Sequence, residues 1–459
     1  MSTDSLQNKM DAAGGALAML RASQLGPYVF PVRAEFSNWR DEQRAWRETV
    51  ALLDLSLHMT DLYIEGPDAY RLISDFGANS FSGFGAGRAK QYIACAPNGY
   101  LIGDMIAFGL ADRKVNIVGR PTVASWLEYN AAVGKYDVSV QWDERSVTNS
   151  KPRKTFRYQI QGPHAWQLIE KLNGKVFGKL RLFQTTSIQI AGREYPFLKH
   201  GMGGAPGGEI SGPHEHGAEV KAAILEAGQE FGIQQVGGRA YGSTVVDSGW
   251  IPCPLPALYS GSQMQPYRQW LSAASYEGIA SLGGSFVSES IEDYYFTPWD
   301  LDYGRLVQFD HDFFGRDALE QRAKGPHRKK VSIVWNADDV TSIYRSQMQP
   351  VGNGKYMESP LAHYASYPYD QVLNSKGDRV GVSTYVSFLA PDHAWVSLAV
   401  VDAEWSQPGT ELTVLWGEPN GGSHRPMVER HVQMPVRVRV AVWPFSELAR
   451  KEYRPAGGA

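Results

Sequence analysis

The sequence predicts an α+β protein that ends in a β-barrel, and three observations lead there. A short strand pattern, a Gly-Pro turn and an apolar-periodic helix occur together twice, roughly a hundred residues apart. A basic stretch broken by Gly-Pro, Arg322 to Lys330, reads as a linker. Beyond it the chain carries short strand patterns separated by Gly and Pro turns, as a barrel requires.

Taken in order, Ala13 to Arg21 places Leu and Met at helical spacing, and Trp39 to Ala51 predicts a second helix. Short alternating runs between Asp61 and Phe108, such as Asp61-Leu-Tyr-Ile64, predict strands. Gly66-Pro-Asp68 is a turn that opens a helix over Ala69 to Phe76. The second unit runs from a strand at Phe156 to Ile160, through Gln161-Gly-Pro163, into a helix at Ala165 to Leu172. After the linker, Val331 to Trp335, Thr410 to Trp416 and the strict alternation Val436-Arg-Val-Arg-Val440 predict barrel strands. The expected division is 1–150 and 151–325, two α+β parts, then 326–459, the barrel.

Composition narrows the function classes. The 459 residues are 43% hydrophobic and 12% aromatic, enough apolar material for large cores. A formal charge of −3 gives no reason to expect nucleic acid or an anionic membrane as partner. The two cysteines, Cys95 and Cys253, have no metal-ligand spacing and suggest a reducing compartment. No run approaches the ~20 apolar residues of a membrane helix, so a cytoplasmic location is expected. The loop Gly201 to Gly208 has Pro206 where a dinucleotide fingerprint needs Gly, so no nicotinamide site is expected. His214-Glu-His216 lacks the helical spacing of a metal motif, and no metal is expected.

Several phrases fall in a fixed order: Tyr100-Leu-Ile-Gly-Asp104, Gln159-Ile-Gln-Gly-Pro163, Gly208-Glu-Ile-Ser-Gly-Pro213, Asp247-Ser-Gly249 and Phe309 to Leu319. Together they resemble the folate-binding aminomethyltransferase family, to which the glycine-cleavage T-protein belongs. Tyr28-Val-Phe-Pro31, Glu35-Phe-Ser-Asn-Trp39, His58-Met59, Gly119-Arg120, Ala240-Tyr241 and Ser248 to Pro252 are similar to a narrower group. That group is the tetrahydrofolate-dependent O-demethylases of vanillate, 3-O-methylgallate and syringate. The resemblance implies a three-domain T-protein-like fold, tetrahydrofolate as methyl acceptor and a small methoxylated aromatic acid as donor.

Aryl ether cleavage needs the methyl carbon held near N5 of the folate and a proton or strong hydrogen bond at the leaving oxygen. The resemblance implies that Arg120, with its planar fork, meets the substrate carboxylate, and that Tyr28 adds a second donor. It implies that Tyr241 and His58 stand at the reacting oxygen; we favour Tyr241 as donor and His58 as the group that tunes it, with the roles open to exchange. Met59, Leu55 and Phe183 are expected beside the substrate ring. Glu209 is expected to accept adjacent pterin N–H groups, with Gln161, Trp250 and Asp247 in the same cavity. Asp104 matches the acidic position near the folate's reactive nitrogens; a turn-stabilising role is the alternative.

Two departures bear on the substrate. The apolar Asp54-Leu-Ser-Leu57 replaces a more polar stretch of the vanillate-type enzymes, and Phe30 stands where they carry Tyr. Both suit a less hydroxylated ring, such as a chlorinated methoxybenzoate of the dicamba type, because an unpaired buried polar group is costly. Two rival readings share the fold: an aminomethyltransferase or N-demethylase, and a non-catalytic folate-binding assembly factor. The assembly-factor Cys phrase has no counterpart here, Cys253 lying in Ile251-Pro-Cys-Pro-Leu255.

Overall fold

The computed structural model describes residues 4–252, 254–422 and 425–453. Cys253, named above, lies outside them; Cys95 is a buried free thiol. Among the described residues no helix is long and apolar enough to cross a membrane.

The repeated strand–turn–helix unit is real, and each copy belongs to a different sheet. In the first copy Thr60–Glu65 leads through Gly66 to the helix Ala69–Asp75. In the second, Thr155–Gln161 leads through Gly162 to Ala165–Asn173. Both glycines have positive φ, 150° and 138°. A Cβ on Gly66 would lie 2.2 Å from the Asp137 carbonyl oxygen, and one on Gly162 would lie 2.4 Å from that of Thr49. The same backbone demand therefore fixes Gly in both turns.

The first sheet has five antiparallel strands in the order Arg88–Cys95, Leu101–Ala111, Lys114–Gly119, Thr60–Glu65, Ser139–Asp143. The second has six, in the order Ile233–Val236, Val50–Asp54, Thr155–Gln161, Gly207–Pro213, Arg193–Leu198, Thr185–Ile190. Val50–Asp54 thus comes from the first third of the chain yet pairs with strands from the second. The sheet boundary does not follow a cut at residue 150.

The helix expected over Trp39 to Ala51 stops at Glu48. Thr49 leaves helical geometry at φ −133°, and the apolar run Val50 to Leu53 is buried in a strand instead. The first predicted helix also begins late, at Ala16, because Gly14 and Gly15 both have positive φ. Beyond the linker, six strands close a barrel: Lys329–Trp335, Ala394–Val401, Arg379–Leu389, Asp370–Leu373, Glu411–Trp416 and Met434–Ala441.

Buried ions join the layers. Asp61 of the five-stranded sheet meets Arg153 at 2.5 Å and Arg157 of the six-stranded sheet at 3.3 Å, and Arg157 also pairs with Glu209. A second joint is Asp247, which binds Arg47 at 2.8 Å; the same guanidinium reaches Asp392 beside the barrel at 2.7 Å. Breaking either joint would strand a buried charge, which commonly costs about 3–5 kcal/mol.

Candidate active site

Where the two sheets and the barrel meet, they enclose a cavity of about 1400 Å³. His58 and Met59 enter it from the turn between Val50–Asp54 and Thr60–Glu65, the point where the chain passes from one sheet to the other. Tyr28 and Phe30 come from the segment after the helix Ala16–Ala22. Arg120 stands between the strand Lys114–Gly119 and the helix Pro121–Val133, at the helix N-cap. Tyr241 closes the short helix Gly238–Tyr241.

The Tyr241 hydroxyl lies 3.0 Å from His58 Nε2. Phe30 packs against both rings, at 4.5 Å from Tyr241 and 5.2 Å from His58 between centroids. His58 is buried, and its pKa falls to about 3, first through burial and then through the Arg120, Arg153, Arg145 and Arg157 charges. It is a neutral imidazole at physiological pH. Burial also pushes the Tyr241 phenol well above its ordinary value, so the hydroxyl keeps its proton. With the imidazole proton on Nε2, His58 donates to the Tyr241 oxygen and leaves the phenolic O–H for an acceptor in the cavity.

Tyr28 donates its hydroxyl to the His58 carbonyl, which fixes the turn carrying His58. The Arg120 and Arg145 guanidiniums lie 4.3 and 4.5 Å from the centre of the Tyr28 ring. Arg120 also donates to the Tyr276 hydroxyl at 3.3 Å. The Tyr28 ring is thus an aromatic surface on which two cations stack. Sequence reasoning passed over Arg145, whose Nε and Nη1 are buried with no hydrogen-bond partner among the described residues. Nothing in its local sequence, Asp143-Glu-Arg145, marks it.

Elsewhere on the wall, Asp104 Oδ2 accepts from Gln91 at 2.8 Å and from Trp250 and Tyr303 at 3.2 Å. Its Oδ1 is buried and has no hydrogen-bond partner among the described residues. Burial raises the Asp104 pKa, against those three donors. Trp250 lines the cavity beside it, and Phe183 lines it while packing on His200 at 5.3 Å.

Four expected site residues sit outside the cavity lining. Leu55 is wholly buried in the core behind the site, so it does not touch a ligand there. Leu57 is also absent from the wall; its carbonyl accepts from Ser146. Of the two departures noted in the sequence, only Phe30 faces the cavity. Asp247 is the buried clamp on Arg47 and Trp46. Gln161 accepts from the Gly203 N–H at 2.9 Å and so shapes the loop that carries Met202 and Ala205 into the wall. Glu209 is committed to Arg157 and lies 3.9 Å from Nδ1 of His200, which does line the cavity. These four stand one layer behind the lining.

The chain belongs to the GCVT N-terminal domain family, whose model matches residues 8–253. It is a methyltransferase-type enzyme of that family. It is 43% identical over 451 residues to syringate O-demethylase from a Sphingobium species, covering 98% of this chain and 97% of that one. It is 27% identical to sesamin methylene transferase from a Sinomonas species, over 91% of each chain. Among solved structures it resembles the glycine cleavage system aminomethyltransferase T of Bartonella henselae, with a TM-score of 0.60 and 18% identity. That match covers 93% of this chain and 95% of the other, and establishes the fold.

Proposed function

We propose that the protein is a tetrahydrofolate-dependent O-demethylase of a methoxylated benzoate. The methyl–oxygen bond of the ether breaks, a methyl–N5 bond forms, and the N5 proton is balanced by the proton gained at the phenol. The products are a phenol and 5-methyltetrahydrofolate. The observation that carries the reading is the Tyr241–His58 pair at 3.0 Å, in one cavity with Arg120 at one part of the wall and Asp104 at another.

Each group has a task. Arg120 holds the carboxylate of the benzoate by charge-assisted hydrogen bonds. Tyr241 donates to the ether oxygen as negative charge develops there, a placed donor whose effect is greatest in a site that excludes water. His58, neutral, steadies the Tyr241 oxygen. Asp104 Oδ1, buried with no hydrogen-bond partner among the described residues, suits an N–H donor of a reduced pterin and would receive the N5 proton, directly or through water. Trp250 offers a flat wall to the pterin, and Phe183 offers one to the substrate ring. The cations Arg88, Lys90, Lys179, Arg181, Lys199 and Arg305, which also line the cavity, suit the carboxylates of a folate tail.

The test is anaerobic incubation with tetrahydrofolate and syringate, vanillate, 3-O-methylgallate, 3-methoxybenzoate or dicamba, with dimethylglycine as the aminomethyl-type control. We expect 5-methyltetrahydrofolate and the matching phenol from at least one aryl ether, without oxygen, nicotinamide or added metal. Product from none of the aryl ethers overturns the reading, and turnover of dimethylglycine instead would move the protein to the N-demethylase side.

A further inference from the structure

The proposed O-demethylase reading assigns no role to the part of the cavity wall that the barrel supplies. Its central residue is His363, which lines the cavity and is 7% exposed. The segment that carries it is tied on both sides. Ala362 N–H donates to the Val386 carbonyl at 2.9 Å, and the Pro360 carbonyl accepts from Phe388 N–H at 2.7 Å and Ser387 Oγ at 2.8 Å. Farther along, Ser366 and Tyr367 N–H groups bind Ser281 at 2.9 and 3.0 Å.

The imidazole stands edge-on to Tyr385, centroids 4.8 Å apart at 82°. Tyr385 has φ +55° where the strand Arg379–Leu389 shifts register, and it too lines the cavity. A bulge with a non-glycine residue in the left-handed region is a common device for re-aiming a side chain. The ring is thus held rigidly, yet its Nε2 is buried with no hydrogen-bond partner among the described residues.

The identity of that vacant nitrogen follows from the other one. The ring makes a backbone hydrogen bond at Ala365 of the kind that favours the protonated form, so the imidazole is its donor. With Nε2 unpartnered, Nδ1 is the nitrogen that donates. Burial and the Arg120 charge together lower the ring's pKa to about 3, so it is neutral. Nε2 then presents a lone pair and no proton. A carboxylate or ether oxygen would gain nothing from it, whereas an O–H group would.

We propose that His363 is a specificity-determining residue that accepts a hydrogen bond from a free hydroxyl on the substrate ring. The substrate class is then a hydroxy-methoxybenzoate and not a fully alkylated or chlorinated one. This rests on the O-demethylase reading for the identity of the ring, and it offsets the apolar signal of Phe30. His363 meets a ring hydroxyl and not the oxygen whose bond to the methyl group breaks, so its part is to select the ring.

The experiment compares 4-hydroxy-3-methoxybenzoate with 3-methoxybenzoate in wild type, His363→Phe and His363→Gln, by kcat/KM for methyl transfer. A parallel calorimetric arm measures binding of benzoate, 3-hydroxybenzoate and 4-hydroxybenzoate without turnover. Wild type should prefer the hydroxylated ligand by about ten- to a hundredfold, the range for a buried acceptor left unpaired by the analogue. His363→Phe should bring each pair within about threefold, the hydroxylated ligand losing several times more than its unhydroxylated partner, and His363→Gln, whose amide oxygen accepts, should restore part of the preference. Equal losses on both substrates in a folded variant, or a wild type indifferent to the hydroxyl in both arms, would overturn the proposal. Failure of methyl transfer from every ether would instead sink the O-demethylase reading, and the binding arm would still decide the role of His363.

Discussion

Replacing Tyr241 by Phe isolates one hydroxyl. The ring should keep its place, because its packing is made by carbon: 4.5 Å to the Phe30 centroid and 4.9 Å to that of His58. Two losses follow. The first is in the reaction, where the donor to the leaving oxygen disappears; removing one such donor typically costs about 100- to 1000-fold in kcat. Arg120 is untouched, so KM should move by less than about threefold. The second is in stability. His58 already has an unpartnered Nδ1 among the described residues, and the change orphans Nε2 as well, at roughly 1–3 kcal/mol. Steady-state kinetics on the best aryl ether, with urea denaturation of both proteins, reads the two effects separately. A kcat within fivefold of wild type, or a large rise in KM at constant kcat, would refute the assignment of Tyr241 as donor.

The carboxylate assignment has its own signature: Arg120→Ala should raise KM by about ten- to a hundredfold, the range for a hydrogen bond to a charged group. The methyl ester of the same substrate should lose little between wild type and variant; an ester penalised as heavily as the acid would exclude Arg120 as the carboxylate partner. Acid titration tests the buried imidazoles. His58 and His363 have folded pKa values of about 3, below the 6.5 of the free side chain. Between those limits the unfolded chain binds the protons and the folded protein does not, so stability falls as pH falls, by up to about 1.4 kcal/mol per pH unit for each ring. His58→Gln should flatten the slope of unfolding free energy between pH 6 and 4 by about that amount, and an unchanged slope would mean that His58 protonates in place.

What the sequence made legible was what local rules govern. The two Gly-Pro turns were readable because a Cβ at Gly66 or Gly162 would strike a carbonyl oxygen, so the residue type reports the backbone directly. Barrel strands such as Met434–Ala441 were readable because alternation of period two survives when one face is buried. The strand Val50–Asp54 was not, because its buried run continues the apolar periodicity of the preceding helix and its partners lie about a hundred and 180 residues away. Likewise the residues taken for site contacts divide by depth. His58, Arg120, Tyr241, Asp104 and Trp250 line the cavity, while Glu209, Gln161 and Asp247 stand behind its lining, and one-dimensional spacing does not distinguish a wall from its backing.

The barrel wall shows why the rest of the site was hidden. His363 and Tyr385 are 22 residues apart in sequence, sit in no recognisable motif, and are brought together by a register shift within one strand. Each taken alone reads as an ordinary buried aromatic. The residues on which the resemblance rests, Tyr241, His58 and Arg120 among them, are legible because they sit in phrases that match a family. A residue that chooses among ring substituents need not belong to that set, because changing it alters which ligand leaves a buried polar atom unpaired without disturbing the transfer itself. The apolar turn at Leu55 to Leu57 looked like the determinant of ring chemistry because it adjoins His58 in sequence, but neither leucine lines the cavity. Under the proposal the determinant lies where a buried acceptor with no hydrogen-bond partner among the described residues faces the cavity from the barrel side, as His363 does.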